Sequence, residues 1–340
     1  MPAALTASLM AFFLAVTLTR YLCHPAARLR ILDHPNERSL HHRPISRTGG
    51  VAILMGIVIG LAPFALGQTF PALSVWLLIS VTLLAMISFI DDRYGVDVML
   101  RLAVQMIAVC LLLFDRFILP EIQLPGIVWH WPVTLSAGFS ILYALWTVNL
   151  YNFMDGMDGF AAGMAVIGFG CFAVFGWLAG NALFFNLSLI IMAATAGFLI
   201  FNFPPARIFM GDVGSSLLGL LAAALSLWGA REGIFPFWAA ILVFSPFIVD
   251  ATATLIRRLF RGEKVWQAHK THYYQRLVQL GWGHRKTVLW EYGLMVACAI
   301  SALWAGRQTV ITQWLILSIW VVLYSLLMLW IPRLEERNRK

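Results

Sequence analysis

Carboxylates, carboxamides and imidazoles recur in this chain in short clusters, each at the edge of a long apolar run. The first is Ser88-Phe89-Ile90-Asp91-Asp92-Arg93-Tyr94-Gly95. Neighbouring carboxylates raise each other's pKa unless a cation or donor sits nearby, so the pair can take a proton from a phosphate nucleophile or hold a divalent metal. An acidic helix end solvated in a loop is the alternative. The second runs Asn149-Leu150-Tyr151-Asn152-Phe153-Met154-Asp155-Gly156-Met157-Asp158-Gly159. Helical spacing keeps Asn149, Asn152 and Asp155 on one face. Their oxygens suit a hard ion such as Mg²⁺, and the glycines allow a sharp turn and close approach by a ligand. A calcium loop does not fit, and a plain Asn/Asp/Gly turn is the alternative.

The third cluster, from Phe201 to Ser216, ends one helix at Pro204-Pro205 and starts the next at Gly211-Asp212-Val213-Gly214-Ser215-Ser216. Free N–H groups, hydroxyls and glycines at a helix start suit phosphate, and Asp212 adds a metal ligand. An N-cap role alone is the alternative for Asp212. A basic loop, Arg257 to Leu277, brings His269, His272, Tyr273, Tyr274, Gln275 and Arg276, which can bind sugar hydroxyls and diphosphate oxygens. A second, His34 to Gly50, closes on Gly49-Gly50 and could clamp diphosphate. Asp250 lies inside an apolar run, where an acid is presumed functional or paired, and Arg257 would sit two turns away.

Positioning these groups falls to apolar helices. Of 340 residues, 61% are hydrophobic and 12% charged, half the charge of a soluble domain, with mean hydropathy +0.81. That predicts an all-α polytopic membrane protein, one integral-membrane domain over 1–340, and excludes disorder, coiled coil and a disulfide scaffold. Cys23, Cys110, Cys171 and Cys298 lie in or beside apolar runs without C-x-x-C spacing and are expected to pack as small apolar groups. No zinc spacing is present.

Apolar stretches predict about eleven transmembrane helices, near 3–22, 49–66, 73–90, 100–115, 133–150, 161–180, 182–201, 213–230, 234–256, 288–306 and 308–331. The fourth is weak, because its apolar run is short. With all of them crossing, one face receives every one of the 24 Lys and Arg except Arg116, Arg231 and Arg307. By the positive-inside rule that face is cytoplasmic, which places the N-terminus in the periplasm and the C-terminus in the cytoplasm. Omitting the fourth span would scramble this bias. The opening segment has no basic stretch ahead of its apolar run and predicts an uncleaved helix rather than a signal peptide.

Together the clusters resemble the polyprenyl-phosphate N-acetylhexosamine-1-phosphate transferase family, which includes the phospho-N-acetylmuramoyl-pentapeptide transferases and the eukaryotic dolichyl-phosphate enzyme. The likeness runs from about His34 to Leu277. It rests on P-N-x-R-x-x-H…G-G, Asp-Asp, N-x-x-N-x-x-D-G-x-D-G, N-F-x-P-A-x-x-F-M-G-D-x-G-S and a His-containing loop, in that order on the predicted cytoplasmic face. The resemblance implies transfer of a sugar 1-phosphate from a UDP-sugar to undecaprenyl phosphate, release of UMP, and a requirement for Mg²⁺ or Mn²⁺. It implies a catalytic set of Asp91, Asp92, Asp155, Asp158 and His272, with Asp91 and Asp92 handling the lipid phosphate and Asp155 and Asp158 lining the nucleotide and metal site. Asn152 and Asp212 resemble the metal ligands, and Asn149, Arg207, Gly211, Ser215, His269 and Arg276 are expected around the bound substrate.

The last loop departs from the family's D-R-x-H-x-H-H, since the chain has His269-Lys270-Thr271-His272-Tyr273-Tyr274-Gln275 and only His272 matches cleanly. That loop is associated with sugar choice. Its form resembles the branch that starts O-antigen or capsule chains, with a 6-deoxy sugar such as N-acetylfucosamine or N-acetylquinovosamine, or N-acetylglucosamine, as candidates. The resemblance also implies a multi-pass enzyme of the bacterial inner membrane with its active site on the cytoplasmic face. Membrane lipids and a second copy of the chain are candidate partners; nucleic acid is not. Cell-wall precursor synthesis is the alternative within the class. A secondary transporter is the alternative outside it, although its polar groups should gather at mid-membrane. A CDP-alcohol phosphotransferase is excluded because Asp155-Gly156 is not followed by that family's Ala-Arg.

Overall fold

The computed structural model describes residues 2–35, 43–66, 75–264 and 269–339. Asn36 to His42 of the first basic loop, and 265–268 of the second, lie outside the described residues. The helices are α1 (Pro2–Cys23), α2 (Gly49–Leu66), α3 (Val75–Tyr94), α4 (Val98–Leu111), α5 (Val133–Met154), α6 (Phe160–Leu178) and α7 (Ala182–Asn202). They continue as α8 (Gly211–Arg231), α9 (Phe237–Val243), α10 (Ser245–Phe260), α11 (Tyr273–Leu277), α12 (Gly283–Ala305) and α13 (Val310–Arg339). Among the described residues nine helical stretches are long and apolar enough to cross a membrane, and the bent pair α9–α10 makes a tenth. The apolar α2 is shorter. Each predicted span thus has a helix, including the weak fourth, which reaches crossing length because a 3₁₀ turn, Leu112–Asp115, extends α4.

The predicted ninth span, 234–256, is not one straight helix. It breaks between α9 and α10 with a bend of 78°. Pro246 in the first turn of α10 has no N–H to continue the ladder and fits only a helix start. Two antiparallel hairpins were also unforeseen. Strands β1 (Leu32–Asp33) and β2 (Ile45–Ser46) pair as Leu32 with Ser46, and β3 (Glu121–Leu124) and β4 (Ile127–His130) pair around a turn at Pro125-Gly126.

Helix α8 is the hub, with 94% of its apolar window buried, against 17% for α13. Lipid tails are as apolar as Leu, so close packing rather than the hydrophobic effect holds such a centre together. The small residues of α8, from Gly214 to Ser216 and from Ala222 to Ala224, let α2, α3, α5 and α6 approach it. At one end of the bundle, β2 docks on the segment leading into α8. The Phe209 N–H donates to Ser46 O at 2.7 Å, and Gly49 and Gly50 N–H groups donate to the Phe209 and Met210 carbonyls at 3.0 and 2.7 Å. At the other end Arg231 donates to the Asp115 and Arg116 carbonyls, while Asp115 accepts the Leu77 N–H at the start of α3.

Candidate active site

Asp91 and Asp92 occupy the last turn of α3, and Asp92 is buried. Both Asp92 carboxylate oxygens accept the Asp212 N–H, at 3.1 and 3.2 Å, and Oδ2 is 3.4 Å from the Val213 nitrogen. A carboxylate therefore already satisfies the α8 start, where free N–H groups for phosphate were expected, and Asp212 is a first-turn residue rather than the cap. Gly211 takes φ +72°, and a Cβ there would lie 2.1 Å from Arg47 O. Arg47, carried in by the docked β2 segment, places Nε 3.3 Å from Asp92 Oδ1, and its Nη2 donates to the Asp92 carbonyl. The Nε contact is off the straight donor line, so it is ionic more than a directed hydrogen bond.

Asp91 accepts the Val96 N–H at 2.7 Å and the Arg101 guanidinium at 2.9 Å. The same Arg101 Nη1 lies 3.5 Å from Asp212 Oδ2. From α5, Asn152 Nδ2 donates to Asp212 Oδ1 at 2.7 Å and to Ser215 Oγ at 3.2 Å. Asp155, just past the end of α5, donates its N–H to the Asn152 carbonyl at 3.3 Å, and its carboxylate has no hydrogen-bond partner among the described residues. Burial, and then the carboxylates of Asp212 and Asp92, push its carboxyl well above the usual range. Side chains from the ends of α3, α4, α5 and α8 thus converge: Asp91, Asp92, Asn152, Asp155, Asp212 and Ser215, with the Gly211 backbone beside them and Arg47 and Arg101 as counter-charges.

Asp158 lies on the α5–α6 loop. Its Oδ2 accepts the Ala206 N–H at 3.0 Å, tying that loop to the segment before α8. Asn202 at the end of α7 strengthens the tie, accepting the Gly159 N–H and donating to the Ile208 carbonyl.

His272 belongs to a second layer. Its Nδ1 lies 3.2 Å from Asp250 Oδ1, and Asp250 also accepts the Tyr273 and Tyr274 N–H groups, both at 3.0 Å, and the Thr254 hydroxyl. The acid inside the span is therefore paired with His272 and the start of α11, not with Arg257. Arg257 stacks over the Tyr273 ring at 5.0 Å and donates to the Thr271 carbonyl. The bend at Phe244 makes this meeting possible by redirecting α10. His272 faces the Phe153 ring at 6.3 Å, next in sequence to Asn152. Burial, and then neighbouring His272 and Arg258, lower His269 to a pKa of about 4.

Other expected ligands point elsewhere. Asn149 donates to Gln105 Oε1 at 3.0 Å and to the Leu145 carbonyl at 2.8 Å, latching α5 to α4. Arg276 gives Nε and Nη2 to the Glu335 carboxylate of α13, both at 2.6 Å. Arg207 is exposed. Sequence reasoning missed Arg101 as a site residue, and missed Gln105 as the partner that draws Asn149 away. Only Arg101, a cation in the first turns of an apolar helix ten residues after Asp91, carried a readable signal. An apolar cavity of about 530 Å³ lies beside α10, α12 and α13 and reaches Asp250 and Tyr273.

The glycosyl transferase family 4 model matches residues 74–230. A Bacillus subtilis protein named as a probable undecaprenyl-phosphate N-acetylglucosaminyl 1-phosphate transferase is 30% identical over 301 residues, covering 88% of this chain and 83% of that protein. The decaprenyl-phosphate N-acetylglucosaminephosphotransferase of Mycobacterium tuberculosis (strain H37Rv) is 32% identical over 324 residues, covering 85% and 78%. The undecaprenyl-phosphate alpha-N-acetylglucosaminyl 1-phosphate transferase of Escherichia coli K12 is 24% identical over 331 residues, covering 94% and 88%.

Proposed function

Because the chain belongs to the polyprenyl-phosphate N-acetylhexosamine-1-phosphate transferases, within glycosyl transferase family 4, we propose that it moves N-acetylglucosamine 1-phosphate from its UDP-sugar to undecaprenyl phosphate. An oxygen of the lipid phosphate attacks the sugar-bearing phosphorus. The bond from that phosphorus to the bridging oxygen breaks, and UMP leaves. The observation that carries this reading is the convergence of Asp91, Asp92, Asp155, Asp212 and Asn152 with Arg47 and Arg101 at one end of an apolar bundle. Phosphoryl transfer asks mainly for positioning and charge neutralisation, and these side chains offer both.

The donor set suits a hard divalent ion. Among the described residues no three Asp, Glu, His or Cys side chains are grouped to hold a metal by themselves. Mg²⁺ often takes only one or two carboxylates from the protein and completes its shell with phosphate oxygens and water. Asp212 and Asn152 would hold the ion, and the unpartnered, crowded Asp155 favours a cation nearby. When bound, Mg²⁺ or Mn²⁺ neutralises the diphosphate oxygens. Asp91 and Asp92 orient the acceptor phosphate or take its proton, Arg101 holds Asp91 and Asp212 in register, and His272 packs against Phe153, the neighbour of Asn152. The cavity beside α10 offers hydrocarbon surface to the isoprenoid chain.

The clustering of Lys and Arg supports an active site on the cytoplasmic face of the membrane; the proposed lipid-linked sugar would begin a surface polysaccharide. A 6-deoxy N-acetylhexosamine is the second reading, favoured by the His269–Gln275 loop. The test is purified protein with undecaprenyl phosphate, Mg²⁺ and a panel of UDP-sugars, followed by UMP release. Release with UDP-N-acetylglucosamine is expected; release confined to a 6-deoxy sugar selects the second reading. Transport with no UMP from any donor overturns both.

A further inference from the structure

Helix α12 reaches back to the α5–α6 loop at two points, both beyond the residues 74–230 that the family model matches. Tyr292 donates from its hydroxyl to the Gly159 carbonyl at 2.6 Å, and its ring lies so close over α6 that a Cβ at Gly163 would be 2.0 Å from Cε1. Two turns earlier, His284 brings Nδ1 within 3.0 Å of Asp158 Oδ1, off the straight donor line, and that nitrogen has no other partner among the described residues. Both side chains are largely enclosed, 19% and 12% exposed. Gly281 and Gly283, at φ +90° and +69°, turn the chain so that His284 opens α12 on the side of the loop.

The Asp158 carboxylate is therefore held from two directions. Oδ2 takes the Ala206 N–H, and Oδ1 faces His284. The imidazole and the carboxylate make a close, largely enclosed contact that is short of a directed hydrogen bond and becomes an ion pair when the imidazole is protonated. Among the described residues neither carboxylate oxygen touches Asp91, Asp92 or Asp212, so freeing one oxygen would loosen the loop's ligand-facing wall while leaving the acid cluster intact. We propose that His284 is a positioning residue for the nucleotide-sugar donor, fixing Asp158 so that this wall is preorganised before the donor arrives. The inference rests on the reading of Asp158 as part of the nucleotide site.

The test uses the full-length protein, with separate saturation curves for UDP-sugar and undecaprenyl phosphate. His284→Ala is expected to raise the donor KM about tenfold, with kcat within about twofold and the acceptor KM unmoved, the pattern of lost ground-state binding. His284→Asn keeps a donor near Nδ1 and recovers most of the loss. In an Asp158→Asn background, His284→Ala adds nothing further, as expected for two groups acting through one contact. UMP binding by calorimetry follows the same order and requires no turnover. Wild-type donor KM and UMP affinity in His284→Ala would overturn the inference, as would equal losses for both substrates or additive double-variant effects. If the wild type releases no UMP from any donor, the proposed reaction fails instead, and the calorimetric order still decides whether His284 acts through Asp158.

Discussion

Arg101 touches carboxylates from two helices, Asp91 at 2.9 Å and Asp212 at 3.5 Å, while Arg47 faces Asp92. Four acids, Asp91, Asp92, Asp155 and Asp212, thus share two guanidinium groups, and among the described residues Asp155 pairs with neither. The Asp91-Asp92 pair and the Asn152-to-Asp158 run were legible as chemistry because carboxylates are expensive beside membrane helices. The partner of Asp92 was not. Its contact with the Asp212 N–H crosses 120 positions and has no local signature. Asp212→Asn preserves volume and a partner for Asn152 but removes the charge. UMP release should fall at least about 100-fold, in line with losing a preorganised electrostatic contact, while the melting midpoint stays near wild type. A rate within about threefold of wild type would remove Asp212 from the catalytic set.

The break between α9 and α10 has the most to do with function at the scale of an element. An unbroken 234–256 helix would keep Asp250 on one straight axis inside the span; with the 78° bend, α10 carries it to the start of α11. There it caps the helix and holds His272 by one carboxylate. Asp250→Asn keeps one acceptor oxygen and loses the charge facing His272. Turnover is expected to drop about 10- to 100-fold, as for outer groups that orient a ligand-bearing His, with the protein still folded. Unchanged turnover would reduce Asp250 to a cap. Apolar run length made the spans legible, and Ser245-Pro246 was the visible sign of a break, but hydropathy is blind to bend angle. The hairpin at Glu121–His130 announced itself only through Pro125-Gly126, and its strands are too short for alternation to stand out. Arg276 carries the same lesson, since nothing near it in the sequence foretells Glu335 of α13.

The whole molecule is asymmetric, with α8 enclosed on nearly all sides and α13 facing outward along most of its length. The contacts of Arg47, Arg101, Asp158 and His272 all lie at one end of this bundle, and those of Arg231 and Asp115 at the other. Single cysteines at exposed Arg207 and exposed Trp129 should therefore react with impermeant thiol reagents from opposite sides of the membrane, Arg207 from the cytoplasm. Labelling of both from one side would break the proposed topology. The grip of Arg276 on Glu335 has a practical bearing. A truncation that reaches back to Leu334 would remove Glu335 and leave the Arg276 guanidinium fork beneath the His272 loop without its carboxylate.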